Sequence, residues 1–268
     1  MAALIFIRGG GDLASGVALR LRLSGLQIVI AEIAQPLAVR RTVAFANAVY
    51  EGVYTVEGVT ARLVSPDQLQ VALDAGEIPV LIDPNAKFLS NQLLASPRSS
   101  IVVDGRLIKQ PPEPLPIRPL LHIGLGPGFI APDDADAVIE TRRGHTLGRV
   151  IWEGSASSDT ALPEGDPRRV LRAPIDGILN SDANLGEHFE MGQRLASVGD
   201  QIVSAPFPGV LRGLLHPGND VTRGMKIGDI DPRDDPDLCH LVSDKALAVA
   251  GGVLEALLSK PEVRSKLW

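Results

Sequence analysis

Two stretches in the last third of the chain, APIDGILNSDANLGEHFEMGQRLASV from Ala173 and APFPGVLRGLLHPGNDVTRGMKIGDI from Ala205, align without a gap. Ala-Pro falls on Ala-Pro, Gly177 on Gly209, Gly186 on Gly218, Gly192 on Gly224, Leu195 on Ile227 and Val198 on Ile230, every pair 32 residues apart. Such self-similarity marks a unit that cannot bury its apolar face alone and does so against its copy. Each copy reads as short strands parted by glycine turns, so the pair predicts one small sandwich over a shared core. This places a mostly-β module at 169–242, built from two 32-residue halves.

The chain begins differently. AALIFI reads as a strand buried on both faces, because strands of a covered parallel sheet lose their polar alternation. Leu13, Val17 and Leu21 then recur with helical spacing, Ala14 and Ala18 allow close packing, and Gly25 stops the helix before a second apolar strand, Gln27 to Ile33. Strand, glycine turn, helix and strand predict a Rossmann-like parallel sheet over 1–112. Within it, Gly9-x-Gly11-x-x-Ala14 matches the dinucleotide fingerprint, in which bare backbone and a helix N-terminus receive a pyrophosphate. Gly10 lies between the two, and Glu32 follows Gly11 by 21 residues, where an acid would meet a ribose hydroxyl. Asp12 sets a carboxylate beside that anion and would repel it unless turned away, so the ligand need not be a dinucleotide. The competing reading is a tight turn with no ligand.

QPLAVRRTVAFANAVYEG reads as a helix whose Arg40 and Arg41 are either a solvated face or contacts to a phosphate. A strand-like TVEGVTARLV, a helix capped by Ser65 and ended at Gly76, and the strands IPVLID and SSIVVDGRLIK continue the α/β rhythm. Five prolines in QPPEPLPIRP mark a boundary near residue 112. A β-rich connecting segment over 113–168 carries a second glycine loop, Gly124 to Gly128, three aspartates (Asp133, Asp134 and Asp136), and Arg142-Arg143-Gly144-His145. That cluster is an anion site, with His145 able to act as acid or base, or it is a polar turn. The tail 243–268 predicts an amphipathic helix capped by Ser243, and Gly251-Gly252 inside it call for close backbone contact with another domain or a second subunit.

Composition excludes several classes. A net charge of −6 and 4% aromatic residues argue against nucleic-acid binding. The most apolar late stretch is broken by Glu255 and is too short for a membrane span. The one cysteine, Cys239, forms no internal disulfide, which fits a cytoplasmic protein. The five histidines lack metal-ligand spacing, so no metal is expected.

The duplicated module resembles the biotinyl/lipoyl, or barrel-sandwich hybrid, fold. Those carriers place a lysine in the hairpin joining the halves. Here the join, Ser197 to Ser204, has none, so neither biotin nor lipoate is expected. IRGGGDLASG, EIAQPLAVRRTVAFANAVYEG, HIGLGPGF, DAVIETRRGHTLGRVIWEGSA and SDKALAVAGGVLEAL together resemble the YqeB-type accessory family of selenium-dependent molybdenum hydroxylase systems. The Rossmann part of that family is similar to XdhC/CoxI maturation proteins. The resemblance implies a helper in maturation of a molybdenum hydroxylase, partnered with that enzyme or its machinery. A molybdopterin-type cofactor would bind at Gly9, Gly10, Gly11, Asp12 and Ala14, aided by Glu32, Arg40, Arg41, Arg142 and Arg143. The alternatives are an NAD(P)-dependent oxidoreductase with His145 or Lys109 as proton donor, and a docking scaffold without ligand.

Overall fold

The computed structural model describes residues 2–158 and 166–268; residues 159–165, inside the expected connecting segment, lie outside the described residues. The protein is mixed α/β and divides into two compact units. Met1–Pro36, Phe45–Asp159 and Val242–Trp268 form the first, and Leu37–Ala44 with Thr160–Leu241 form the second.

Unit 1 contains, in chain order, β1 (Leu4–Arg8), β2 (Ile28–Glu32), β3 (Val53–Val56), β4 (Val59–Leu63), β5 (Ile78–Ile82), β6 (Ser100–Asp104), β7 (Leu121–Leu125), β8 (Ile130–Ala131), β9 (Ala137–Ile139), β10 (Val150–Ile151) and β11 (Gly154–Ser155). β8 pairs with β11, and the others form one nine-stranded sheet in the order β10-β9-β7-β6-β1-β2-β5-β4-β3. From β9 across to β4 all neighbours run parallel, and the two edges, β10 and β3, are antiparallel. The helices are α1 (Asp12–Leu23), α2 (Ala48–Glu51), α3 (Leu69–Asp74), α4 (Lys87–Ala95), α5 (Asp244–Ser259) and α6 (Pro261–Arg264). Phe6, Val29 and Val102 from three central strands pack with Leu89 and Leu93 of α4 in one core cluster. α1 packs on α5 so closely that a Cβ on Gly16 would stand 2.7 Å from the Ala246 Cβ. The expected tail helix is therefore a layer of the first unit.

The structure differs from the sequence-based expectation in two places. The proline-rich stretch at 111–119 does not end a domain. Prolines cannot donate to a ladder, so the chain leaves the sheet there, but the buried run LHIGL re-enters beside β6 with Leu121 opposite Ile101. The stretch 35–52 is not one helix but short 3-10 turns and the single-turn α2. Its amides bond sideways: Phe45 N–H donates to Ser15 Oγ at 2.8 Å and Ala46 N–H to the Gly10 carbonyl at 2.9 Å.

Unit 2 has β12 (Val170–Arg172), β13 (Gly177–Asn180), β14 (His188–Phe189), β15 (Arg194–Val198), β16 (Gln201–Ser204), β17 (Gly209–Leu214), β18 (Asp220–Val221) and β19 (Lys226–Asp231). Two four-stranded sheets result, β12-β19-β17-β14 and β16-β15-β13-β18. The repeat is visible in the hydrogen bonds, which the two halves exchange. Gly186 N–H donates to Leu211 O at 2.9 Å and Gly218 N–H to Leu179 O at 2.8 Å. Likewise Gly192 N–H bonds Ala205 O and Gly224 N–H bonds Ala173 O, both at 2.8 Å. These four glycines adopt matching left-handed φ angles, 91° and 92° for Gly186 and Gly218, 86° and 82° for Gly192 and Gly224. Leu179, Leu195, Leu211 and Ile227 meet in the shared core. Among the described residues no helix is long and apolar enough to cross a membrane.

Candidate functional site

Open sheets with parallel strands bind ligands beyond the carboxyl ends of the strands, where the connections diverge to opposite sides. In unit 1 that place is the end of β1, whose neighbours are β2 on one side and β6 on the other. The last residues of β1 and β6, Arg8 and Asp104, lie opposite each other in register. Both follow apolar runs and precede glycine, so charge is carried to the edge of a dry sheet.

The Asp104 carboxylate is fully buried and holds two guanidinium groups. Arg8 Nη1 lies 3.1 Å from its Oδ2. Arg106 grips it as a fork, with Nε 2.9 Å from Oδ1 and Nη2 2.8 Å from Oδ2. A second carboxylate, Glu113, comes from the proline-rich loop: its Oε2 lies 3.2 Å from Arg106 Nη1 and 4.0 Å from Arg8 Nη2. Glu113 is 78% exposed, whereas the Arg8 side chain is 9% exposed. Burial pulls the Arg8 pKa down, opposed by Asp104. Burial acts the same way on Arg106, but its hydrogen bonds and attraction to Asp104 and Glu113 outweigh it and hold that pKa above its ordinary value. Arg8 and Arg106 face a cavity of about 210 Å³, which Asn85, Ser90 and Glu113 also line. The amides opening α4 are already occupied, since Asp83 accepts from Lys87, Phe88 and Leu89 N–H at 2.7, 3.2 and 3.1 Å.

Two amides of the glycine turn are taken by the chain itself. The Glu32 carboxylate accepts the Gly10 amide at 2.6 Å and the Ile33 amide at 2.7 Å. Burial pushes its pKa up against those two bonds. A Cβ on Gly10 would stand 2.9 Å from the Ala46 nitrogen, so this glycine admits a crossing backbone. Gly9 donates to Ala31 O at 2.8 Å, and nothing lies within 4 Å of the Cβ position of Gly11. Ala14 packs against Gly105 beyond β6, and Asp12 opens α1 half-buried.

The other expected residues are dispersed. Arg40 and Arg41 belong to unit 2, where Arg40 Nη2 donates to the carbonyls of Leu238 at 3.3 Å and Leu241 at 2.8 Å. Arg143 pairs with Asp244, in the first turn of α5, at 2.6 and 2.9 Å. The Arg142 amide donates to Glu140 at 2.7 Å. His145 and Lys109 are exposed, and neither they nor Arg142 and Arg143 line the Arg8 cavity. The residues that do converge, Arg8, Asp104, Arg106 and Glu113, were not singled out from sequence. The available signal was the recurrence of apolar run, charge and glycine in IFIRG and IVVDG.

Unit 1 is thus an open α/β sheet with a charged crevice at the ends of its parallel strands. The relatives found add no activity to that. No family model matches the sequence. The chain is 46% identical over 260 residues to a protein described as uncharacterized, YqeB of Escherichia coli (strain K12), which covers 95% of this chain. The chain spans about half, 47%, of that relative's length. Solved structures with some likeness are an aspartoacylase family protein from Mesorhizobium loti (TM-score 0.27, 10% identity, 85% of this chain and 84% of that one) and a succinylglutamate desuccinylase/aspartoacylase from Rhodobacter sphaeroides (TM-score 0.26, 13% identity, 85% of both). A third is the ectoine utilization protein EutE (DoeB) from Ruegeria pomeroyi (TM-score 0.25, 11% identity, 85% of both). Scores this low transfer neither fold nor chemistry. The expected kinship with XdhC/CoxI proteins is corrected, because the sequence relative found carries no such description. The expected nucleotide-binding helper of a molybdenum hydroxylase, with its oxidoreductase and scaffold alternatives, is corrected with it. The sequence relative has no described activity, and the Gly10 amide, one of those expected to meet the ligand, bonds Glu32 instead.

Proposed function

We propose that unit 1 binds a small molecule through a compact anionic group, a phosphate or a carboxylate, in the crevice beyond β1 and β6. One observation carries this reading: two guanidinium groups share one fully buried carboxylate, while their second counter-ion is the exposed side chain of Glu113. Asp104 balances one of the two charges from within the fold. Glu113 balances the other from solvent, so an incoming anion exchanges with it at little desolvation cost. Asn85 and Ser90 add polar groups that select what the anion is attached to.

Calorimetric titration of the full chain with inorganic phosphate and with malonate tests this and tells the two anion types apart. Saturable binding of at least one probe is expected. Glu113→Gln tightens it by about threefold, because the resident anion is gone. Arg106→Gln weakens it by about tenfold or more, the usual loss of charge-assisted hydrogen bonds. No saturable binding of either probe, in wild type and in Glu113→Gln alike, sinks the reading.

At the level of fold, the parallel strand order on both sides of β1 supports a Rossmann-like arrangement for unit 1. The exchanged hydrogen bonds of the repeats support a barrel-sandwich hybrid for unit 2. We propose that this module carries no biotin or lipoate, because the β15–β16 hairpin turns at Gly199-Asp200 without a lysine. A lone buried thiol, Cys239, supports a cytoplasmic setting.

A further inference from the structure

Pro114 and Leu115 also line a second cavity of unit 1, about 230 Å³, whose polar groups differ in kind from those of the Arg8 crevice. Its one lining cation is paired. Arg118 is held by Asp136, with Nε 3.0 Å from Oδ1, and the other Asp136 oxygen accepts the His122 amide at 2.7 Å. One oxygen of Asp134 takes the Ile130 amide at 2.9 Å. What is left is acceptor capacity: the second oxygen of Asp134, the exposed carboxylate of Asp133, and His122 Nε2.

His122 is the decisive group. It is 7% exposed, lines the cavity, and its Nε2 is buried without a hydrogen-bond partner. An orphan buried polar atom costs stability unless something meets it. Burial pulls the imidazole pKa down, which keeps the ring neutral. A neutral imidazole keeps a lone pair on one nitrogen, and Nε2, buried without a partner, is placed to offer it. Acceptors walled by the rings of Pro112, Pro119 and Pro132 suit a donor-rich cation whose carbon chain lies on proline. A metal ion is less well served, since among the described residues no group of three His, Cys, Asp or Glu side chains is placed to hold one.

We propose that this cavity is a second binding site, which takes the ammonium or guanidinium end of a small organic cation onto His122 Nε2, Asp133 and Asp134. It stands on observations independent of the anion crevice. Imidazole nitrogen resonances of the full chain, labelled with ¹⁵N-histidine, are followed during titration with ethylammonium chloride and, separately, ethylguanidinium chloride. One Nε2 signal is expected to move saturably with at least one of them, and His122→Phe identifies it by its disappearance. Asp133→Asn, a change at an exposed side chain that leaves the fold intact, weakens the response by about fivefold. Tetramethylammonium, a cation with no N–H, leaves the signal in place. Three outcomes overturn the site: no saturable shift with either probe, an equal shift with tetramethylammonium, or a response to zinc chloride alone. Unchanged affinity in Asp133→Asn overturns it as well.

Discussion

Two carboxylates with opposite environments make opposite demands on pH. Asp231, in β19, is pulled down to about 2, first by the side-chain hydrogen bond from Arg233, with Arg233 Nη2 at 2.6 Å. Its folded pKa lies below its unfolded value of 3.8, so the stability it contributes is complete above that value and disappears as pH falls toward 2. The Arg233 side chain is 57% exposed, so solvent screening limits the pair to less than about 1 kcal/mol. Arg233→Gln should therefore lower stability at pH 7 and converge with wild type near pH 2, as read from urea midpoints. A constant gap across that range would remove the pair from the account. Glu32 behaves in reverse. Burial raises its folded pKa above 4.5, so its favourable contribution is complete below that value and is lost as pH rises. Relative to Glu32→Gln, wild type should lose ground between pH 4.5 and 7, and a gain over that window would contradict the burial argument.

Helix α5 carries two adjacent glycines in different surroundings. A Cβ on Gly251 meets nothing within 4 Å, whereas one on Gly252 would stand 2.1 Å from the Gly148 carbonyl oxygen. Gly251→Ala should stabilise the protein by up to about 1 kcal/mol, the helix-propensity difference. Gly252→Ala should destabilise it by about 1–3 kcal/mol, because the carbonyl must move. Equal effects at the two positions, measured by chemical denaturation, would refute the packing seen here. Sequence called for a close backbone contact at this pair, but the partner lies about a hundred residues earlier and has no local signature. The same limit explains the misread stretch 35–52. Its residues suit a helix, yet Ser15 and the Gly10 carbonyl take the amides of Phe45 and Ala46. Periodicity reports local preference, and a distant acceptor can override it. TVEGVTARLV is the converse case. It read as a single strand, but Glu57 and Gly58 both take positive φ, the turn that folds it into the β3–β4 hairpin.

For the whole molecule, the parts readable in advance were those written as contiguous runs, namely β1, α1, β2 and the 32-residue repeat. The division of the chain was not, because both units are assembled from separated segments. Leu37–Ala44 belongs to the second unit although it lies far from the rest of it in sequence. Val39 joins the edge of that core, and a Cβ on Gly213 of β17 would stand 2.8 Å from the Val39 carbonyl oxygen. Arg40 is buried and satisfies the Leu238 and Leu241 carbonyls at the far end of the unit. A segment with these contacts is a structural member of unit 2 and not a linker, and that has a measurable consequence. Arg40→Met keeps much of the side-chain volume but leaves two carbonyls unserved, at a cost of about 1–3 kcal/mol. Hydrogen exchange on the full chain should then accelerate at backbone amides of β17 and of residues 236–241. β1 and α1, which belong to a different core, should keep wild-type protection under conditions where local opening dominates. Acceleration confined to residues 37–44 would mean that the segment merely rests on the unit, and that the repeat closes its core without it.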